Sequence, residues 1–256
     1  MSENVELVTR IRKEGSRAAA IGWKDIRTYY LSPPTVMFGV MFPFALFFTF
    51  TVGRNLSIME MFPILFAQTV FWAASTVGPV VIPLERRTKT FDRYLSAPMS
   101  LISVILGKSI AGVVFGLLVS IIPFLVGWLF FSLQIVDLIL FTLGIFLSCL
   151  AFAAMGIMFA SVPTENVGNI MMPMNFVRIP LLFISGIFIP IESLPFLAQV
   201  VSLVSPLTHT LILIRMGLGV SSYPIAPAVS VVVLLITSMM FLIVSIKFHE
   251  INKRRE

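Results

Sequence analysis

The sequence predicts an all-α membrane protein with six transmembrane helices and both termini in the cytoplasm. Three observations carry that reading: composition, the length of the apolar runs, and the one-sided placement of Lys and Arg. Of 256 residues, 58% are hydrophobic and 12% charged, about half the charge of an ordinary soluble domain. The mean hydropathy is +1.01. Apolar runs fall at roughly 34–53, 61–83, 102–131, 138–160, 168–189 and 225–246. Each is long enough to cross about 30 Å of hydrocarbon as a helix. They do not alternate apolar with polar, so a β-barrel is excluded.

The basic residues fix the expected orientation. Arg10, Arg12, Lys13, Arg17, Lys24 and Arg27 precede the first run. Arg86, Arg87, Lys89 and Arg93 follow the second, Lys108 opens the third, and Lys247, Lys253, Arg254 and Arg255 close the chain. That places six, four, one and four residues, 15 of the 18 Lys and Arg, on one side of a six-span protein. Arg54 and Arg215 fall on the other side, and Arg178 falls inside a span. Cytoplasmic loops carry the excess of Lys and Arg, so both termini and the loop at 84–101 are read as cytoplasmic. The first run is too long for a signal-peptide core and lacks a small-residue cleavage site, so it is expected to stay in the mature chain.

Residues 1–31 read as a cytoplasmic tail ending in an interfacial helix from about Arg17 to Leu31. Ala19, Trp23, Ile26 and Tyr30 share one of its faces, with the aromatics at headgroup level. The membrane region is 32–256. Its loop at about 84–97, bracketed by Pro83 and Pro98, reads as a short amphipathic helix. Leu84, Thr88, Phe91 and Leu95 fall on one side, and Glu85 and Lys89 form an i,i+4 pair. The segment is either a helix that receives force from a soluble partner or a topogenic loop that only solvates. At about 191–220, Pro195 and Pro206 break an apolar stretch that holds His209 and Arg215. It is expected to form two short re-entrant helices in the outer half of the membrane, since non-helical turns at depth are tolerated where protein surrounds them.

Few residues inside the spans carry chemistry. Arg178 lies near the middle of the fifth span between Pro173 and Pro180, where an Arg costs about 2.5–3.5 kcal/mol on insertion scales. It reads either as a group facing a dimer interface or anionic cargo, or as a structural ion pair or carbonyl clamp. Gln68, Trp72, Ser75 and Thr76 recur on one face of the second span, lining a pathway or bonding another helix. Gly112 and Gly116 permit close helix approach. Leu106-Gly107-Lys108-Ser109 ends like a phosphate-binding loop, but that pattern requires Gly where Ile102 stands. Lys108 is therefore expected to snorkel to the cytoplasmic interface. Cys149, alone of its kind, reads as a small buried apolar residue. The Asn55-Leu56-Ser57 sequon is read as chance. His209 and His249 have no partners at metal-ligand spacing, so no metal, nucleophile or ATP-hydrolysing machinery is expected.

Three stretches resemble the ABC-2 type permeases, the membrane subunits that include drug, polysaccharide and nodulation-factor exporters. One runs from Glu85-Arg86-Arg87 through Phe91-Asp92-Arg93 and Pro98-Met99-Ser100 to Gly107-Lys108. The second is Ser185-Gly186-Ile187-Phe188-Ile189-Pro190, followed by Leu194-Pro195. The third is Ser205-Pro206-Leu207-Thr208 with Arg215 downstream. One departure is Thr88-Lys89-Thr90, where family members often show Gly-Thr. The resemblance implies a cytoplasmic coupling helix, with Glu85, Arg86, Arg87, Asp92 and Arg93 meeting a separate ATP-binding-cassette ATPase. It implies a homodimer, or a pair with a similar permease, in the lipid of a cell membrane, read here as prokaryotic. ATP and Mg would sit on the partner and no cofactor on this chain, and nucleic acid has no place. Gln68, Trp72, Ser75 and Arg178 are the candidates for a pathway or dimer interface. Ser185, Gly186, Pro190, Pro195, Pro206 and Arg215 form the outer motif. The alternative is a self-contained secondary transporter. Such carriers need intramembrane carboxylates or unwound helix ends, whereas all twelve Asp and Glu lie in tails, loops or near span ends. The apolar spans suit a lipid-like or amphipathic cargo better than a polysaccharide, which would want more aromatics than Trp72 and Trp128.

Overall fold

The computed structural model describes residues 2–51, 57–96 and 99–253, except the side chains of 2–11, 51, 58, 92, 95, 252 and 253. Arg54, the Asn55 sequon, Pro98, Arg254 and Arg255 lie outside the described residues, as does the Asp92 side chain. Helix α1 (Ser2–Tyr29) runs ahead of the membrane region. The first span is built from α2 (Pro33–Val36), a π-helical turn at Met37–Met41, and α3 (Phe42–Thr51). Then come α4 (Ile58–Arg87), the short α5 (Thr90–Ser96), α6 (Leu101–Phe131), α7 (Leu138–Phe159) and α8 (Val167–Ile184). The chain ends with α9 (Phe196–Val204), α10 (Pro206–Gly217) and α11 (Pro227–Lys253). Six helical stretches are long and apolar enough to cross a membrane, and the protein is a multi-pass membrane protein.

Local sequence explains where the helices begin. Ser57 and Glu60 form a reciprocal capping box at the start of α4, which satisfies two of the backbone N–H groups that a helix start leaves open. Ser100 accepts from the Ser103 N–H. Asp137 accepts from Ile139 and Leu140, and Asn166 from Gly168. Six prolines lie inside α4, α6 and α8, a frequency that membrane helices tolerate because neighbours re-satisfy the freed carbonyls. Pro206 instead opens α10 at its first turn, where its missing N–H costs nothing.

Helix α4 is the axis of the bundle. Its span is wholly buried, whereas the first, fifth and sixth spans are 22%, 28% and 28% buried and form the periphery. Small residues let α6 and α7 close onto α4. A Cβ on Gly112 would stand 2.8 Å from Ala153, and one on Gly116 would stand 2.8 Å from the Cys149 sulfur and 2.9 Å from Ala74. Without hydrophobic attraction between helices in lipid, such close backbone approach is the main source of association. The Gly112-x-x-x-Gly116 spacing is thus a packing motif, and Cys149 is buried in the core around it.

The stretch after α8 forms two short helices, α9 and α10, that meet at 75°. With nine and twelve residues they extend about 14 and 18 Å at 1.5 Å per residue, and neither can cross the membrane alone. Helix α10 is buried against α7, where Thr210 and Ser148 exchange a 2.6 Å hydrogen bond. His209 bridges the Ser230 hydroxyl at 3.0 Å and the Leu203 carbonyl at 2.8 Å.

A Cβ at Gly156 would lie 2.4 Å from the Ser75 carbonyl oxygen, against backbone that cannot rotate away. Gly156→Ala is therefore expected to destabilise the detergent-solubilised protein by about 1–3 kcal/mol. Gly15→Ala, with open space around it, should leave the melting temperature unchanged or raise it. Equal melting temperatures for the two variants would show that the α4–α7 contact is looser than described.

Candidate coupling site and intramembrane arginine

Helix α1 lies against the first turns of α6. A Cβ on Gly107 would stand 2.6 Å from the Ala18 carbonyl, and one on Gly22 2.9 Å from the Gly107 carbonyl. The face of α1 turned inward is Ala18, Ile21, Gly22 and Asp25, while Trp23 and Ala19 face out. This corrects the expected grouping of Ala19, Trp23, Ile26 and Tyr30: Ile26 and Tyr30 pack inward, but Trp23 stays exposed, with the Arg27 guanidinium over its ring. Further along α1, Glu14 accepts from the Ser100 hydroxyl at 2.5 Å and from Ser103. Hydrogen bonds from these two hydroxyls hold its carboxyl well below the usual range, at about 2.

At the centre of this contact sits a buried four-charge cluster. The Lys108 ammonium reaches Asp25 at 3.1 Å and also contacts Glu85. The Lys24 ammonium reaches Asp25 at 2.7 Å and likewise contacts Glu85. Asp25, Glu85 and Lys108 are buried, and Lys24 is about one-third exposed. Two cations alternate with two carboxylates, so the cluster is neutral. Burial works against the Lys24 ammonium, but Asp25 and Glu85 more than offset it and raise its proton affinity above the lysine range. The Tyr94 ring of α5 lies 5.5 Å from one ammonium and 5.7 Å from the other. One cluster thus joins α1, α4 and α6, with α5 laid over it.

Several sequence expectations change here. Helix α4 continues through Pro83 to Arg87, so Pro83 does not open the coupling helix. The break falls at Thr88 and Lys89, and α5 starts at Thr90. Lys89 has φ +57°, a left-handed conformation that costs an L-residue about 1–2 kcal/mol and that Gly adopts freely. Lys89 pairs with Glu165 at 3.5 Å instead of Glu85. Glu85 is buried and turned into the cluster. Lys108 does not snorkel, because two carboxylates meet it below the surface. Arg86 is nearly buried, with its guanidinium over Phe91. Of the five proposed coupling residues, Arg87 and Arg93 are exposed. Asp25 and Lys24 were missed by the sequence reading. The available signal was the register of Asp25 with Ala18, Ile21 and Gly22 on one helical face.

Arg178 is fully buried and faces α4. Its guanidinium donates to Ser75 at 2.6 Å, to Thr76 at 3.3 Å and to Asn175 at 3.4 Å. It also lies over the Trp72 ring at 4.7 Å, and Phe42 packs edge-on against that ring. The guanidinium points into the protomer, where hydroxyls, an amide oxygen and an indole face hold it. The structure does bring Trp72, Ser75 and Arg178 together. Gln68 lies on the same face two turns away, where its amide oxygen and nitrogen have no partner among the described residues.

In the outer motif, Ser185, Gly186, Pro190 and Arg215 line one cavity, with the turn made by Gly186 at φ +84°. Pro195 and Pro206 do not line it; they set the starts of α9 and α10.

A family model described as ABC-2 type transporter matches residues 17–218, from the middle of α1 to the end of α10. The chain belongs to the ABC-2 type transporter family. The match takes in the charge cluster, the loop at α5, Arg178 and the outer motif, and the protein is thus a transmembrane component of an ABC transporter. No curated protein gives a significant match to the chain.

A buried guanidinium with no carboxylate partner among the described residues is not repaid for its lost hydration by an ion pair, so its role should lie outside folding stability. Arg178→Met is expected to melt within about 1 kcal/mol of wild type yet transport poorly once its ATPase is supplied. A variant that loses stability and transport in proportion would make Arg178 a structural residue only.

Proposed function

We propose that this ABC-2 permease is the membrane half of an exporter whose ATP is hydrolysed by a separate nucleotide-binding subunit. The observation that carries the reading is the junction at the cytoplasmic end: the exposed cations of Arg87 and Arg93 flank or sit on α5, and α5 rests through Tyr94 on the cluster that ties α1, α4 and α6. A push on α5 would be delivered to three helices at once, including the buried axis α4. ATP binding by the partner would then bias the permease between inward-facing and outward-facing arrangements by its differential affinity for the two. ATP and Mg belong to that partner.

The permease works in this reading as a homodimer, or paired with a similar chain, in a cell membrane with both termini in the cytoplasm. The excess of Lys and Arg at the termini and at α5 supports that orientation, and the lightly covered first and fifth spans offer lateral faces for a second copy. A secondary transporter is disfavoured because the buried carboxylates Asp25 and Glu85 are each matched by two ammonium groups at the helix ends.

Charge reversal of the exposed pair, Arg87→Glu with Arg93→Glu, is expected to abolish copurification of the ATPase, or its stimulation by the permease, while the permease still inserts and melts as wild type. Normal coupling in that variant would remove α5 as the docking point. Transport by the chain alone in liposomes would overturn the ATP-driven reading.

A further inference from the structure

The cavity at the opposite end of the bundle holds an unused cation. It has a volume of about 110 Å³ and lies between the turn after α8, α10 and the loop at Tyr223. Most of its wall is apolar, including Ile64, Ile187 and Leu211. Arg215 enters it from the last turn of α10. Among the described residues no hydrogen bond or ion pair is made by its side chain, and its Nε is shielded from water without a partner. Two carboxylates act on it through space, Glu60 and Glu192. Glu60 is committed to the Ser57 cap. Glu192 is exposed at the rim of the cavity.

The scaffold that aims Arg215 is rigid. The Arg215 carbonyl accepts from Val220 at 2.8 Å, and the Gly217 carbonyl accepts from Val136 and Asp137 at 2.9 Å each. The end of α10 is therefore bolted to the α6–α7 turn. Ile64 lies six residues into α4, about 9 Å from its start at 1.5 Å per residue, so the cavity lies near one end of that span. Directly beside it, α9 turns outward an apolar face on which Phe196 and Leu197 are 77% and 78% exposed. Ser202 of α9 touches the cavity-lining Thr208 at 3.2 Å.

We propose that this cavity is a binding site for a membrane phospholipid, with the phosphodiester on Arg215 and the acyl chains along the exposed face of α9. A guanidinium is suited to two phosphate oxygens at once, and the apolar wall beside it favours an amphiphile over a free anion. Glu192 at the rim repels a purely anionic headgroup and attracts an ammonium, so the preferred headgroup is zwitterionic, of the phosphoethanolamine type. The site is independent of the ATPase partner and can be read on the purified permease.

Native mass spectrometry of the full chain in detergent, titrated with phosphatidylethanolamine, phosphatidylglycerol, diacylglycerol of the same chains, and glycerophosphoethanolamine, tests it. Phosphatidylethanolamine should bind about tenfold more tightly than diacylglycerol, a difference of about 1.4 kcal/mol, and the soluble glycerophosphoethanolamine should not bind. Arg215→Gln should remove that advantage, and Glu192→Gln should abolish the preference for phosphatidylethanolamine over phosphatidylglycerol. Lys247→Gln, an exposed cation at the other end of the bundle, should change neither. Equal binding of diacylglycerol, or full binding by Arg215→Gln, overturns the proposal. Binding of the soluble headgroup as tight as that of the lipid would make this a small-anion site and overturn the lipid. Should Arg215→Gln not fold, the comparison of the four ligands on wild type decides.

Discussion

The end of this permease that carries α1 and α5 depends on four charges, three of them kept out of water. Lys108 and Lys24 each contact both Asp25 and Glu85, whose side chains are fully buried. Removing one partner of such a set is costly, on the order of 3–5 kcal/mol, because the survivor is left charged and dry. The four therefore act as one bond between helices that are far apart in sequence. The 28-residue α1 has no apolar run long enough to hold it in the bilayer. It is held by this cluster, by Glu14 on the Ser100 and Ser103 hydroxyls, and by glycine-level contact with α6. Helix α5 meets the cluster through the Tyr94 ring.

The same arrangement explains which parts of the molecule were legible in the sequence. The six spans were, because apolar length is a local property, and so was the broken outer pair, because Pro195 and Pro206 stand at the helix starts that a proline favours. The coupling loop was only half legible. Pro83 looked like a boundary, but three prolines are tolerated inside α4 where neighbours enclose it, and the true break is a left-handed Lys89 that no residue type announces. Lys108 was misread because its partners are 83 and 23 residues away, and a snorkelling lysine and a buried one look alike until the helices are placed. Asp25 was invisible as a site residue for the same reason.

Arg178 shows a different limit. Its position inside a span marked it as expensive, and its neighbours on α4 were identified as a polar stripe. Which of them would meet was a matter of helix pairing, and the answer was hydroxyls and the Trp72 face instead of a counter-ion. Ser75, Thr76 and the Trp72 face thus meet the arginine from the buried axis α4. That axis also carries Glu85 near its C-terminal end, so the charge cluster and the partners of Arg178 share one helix, α4. Pro79 and Pro83 lie between the two sites, and each removes one backbone hydrogen bond of the helix.

The most direct test of this account is a double-mutant cycle on Lys108 and Glu85, read as thermal stability in detergent. Lys108→Gln and Glu85→Gln should each destabilise, and the double variant, which keeps Lys24 with Asp25, should be more stable than the sum of the single changes predicts. The expected coupling is about 2 kcal/mol, within the range for residues that share one ion-pair network. Additivity within about 0.5 kcal/mol, the behaviour of independent sites, would contradict the claim that these charges form the joint on which the coupling end is built.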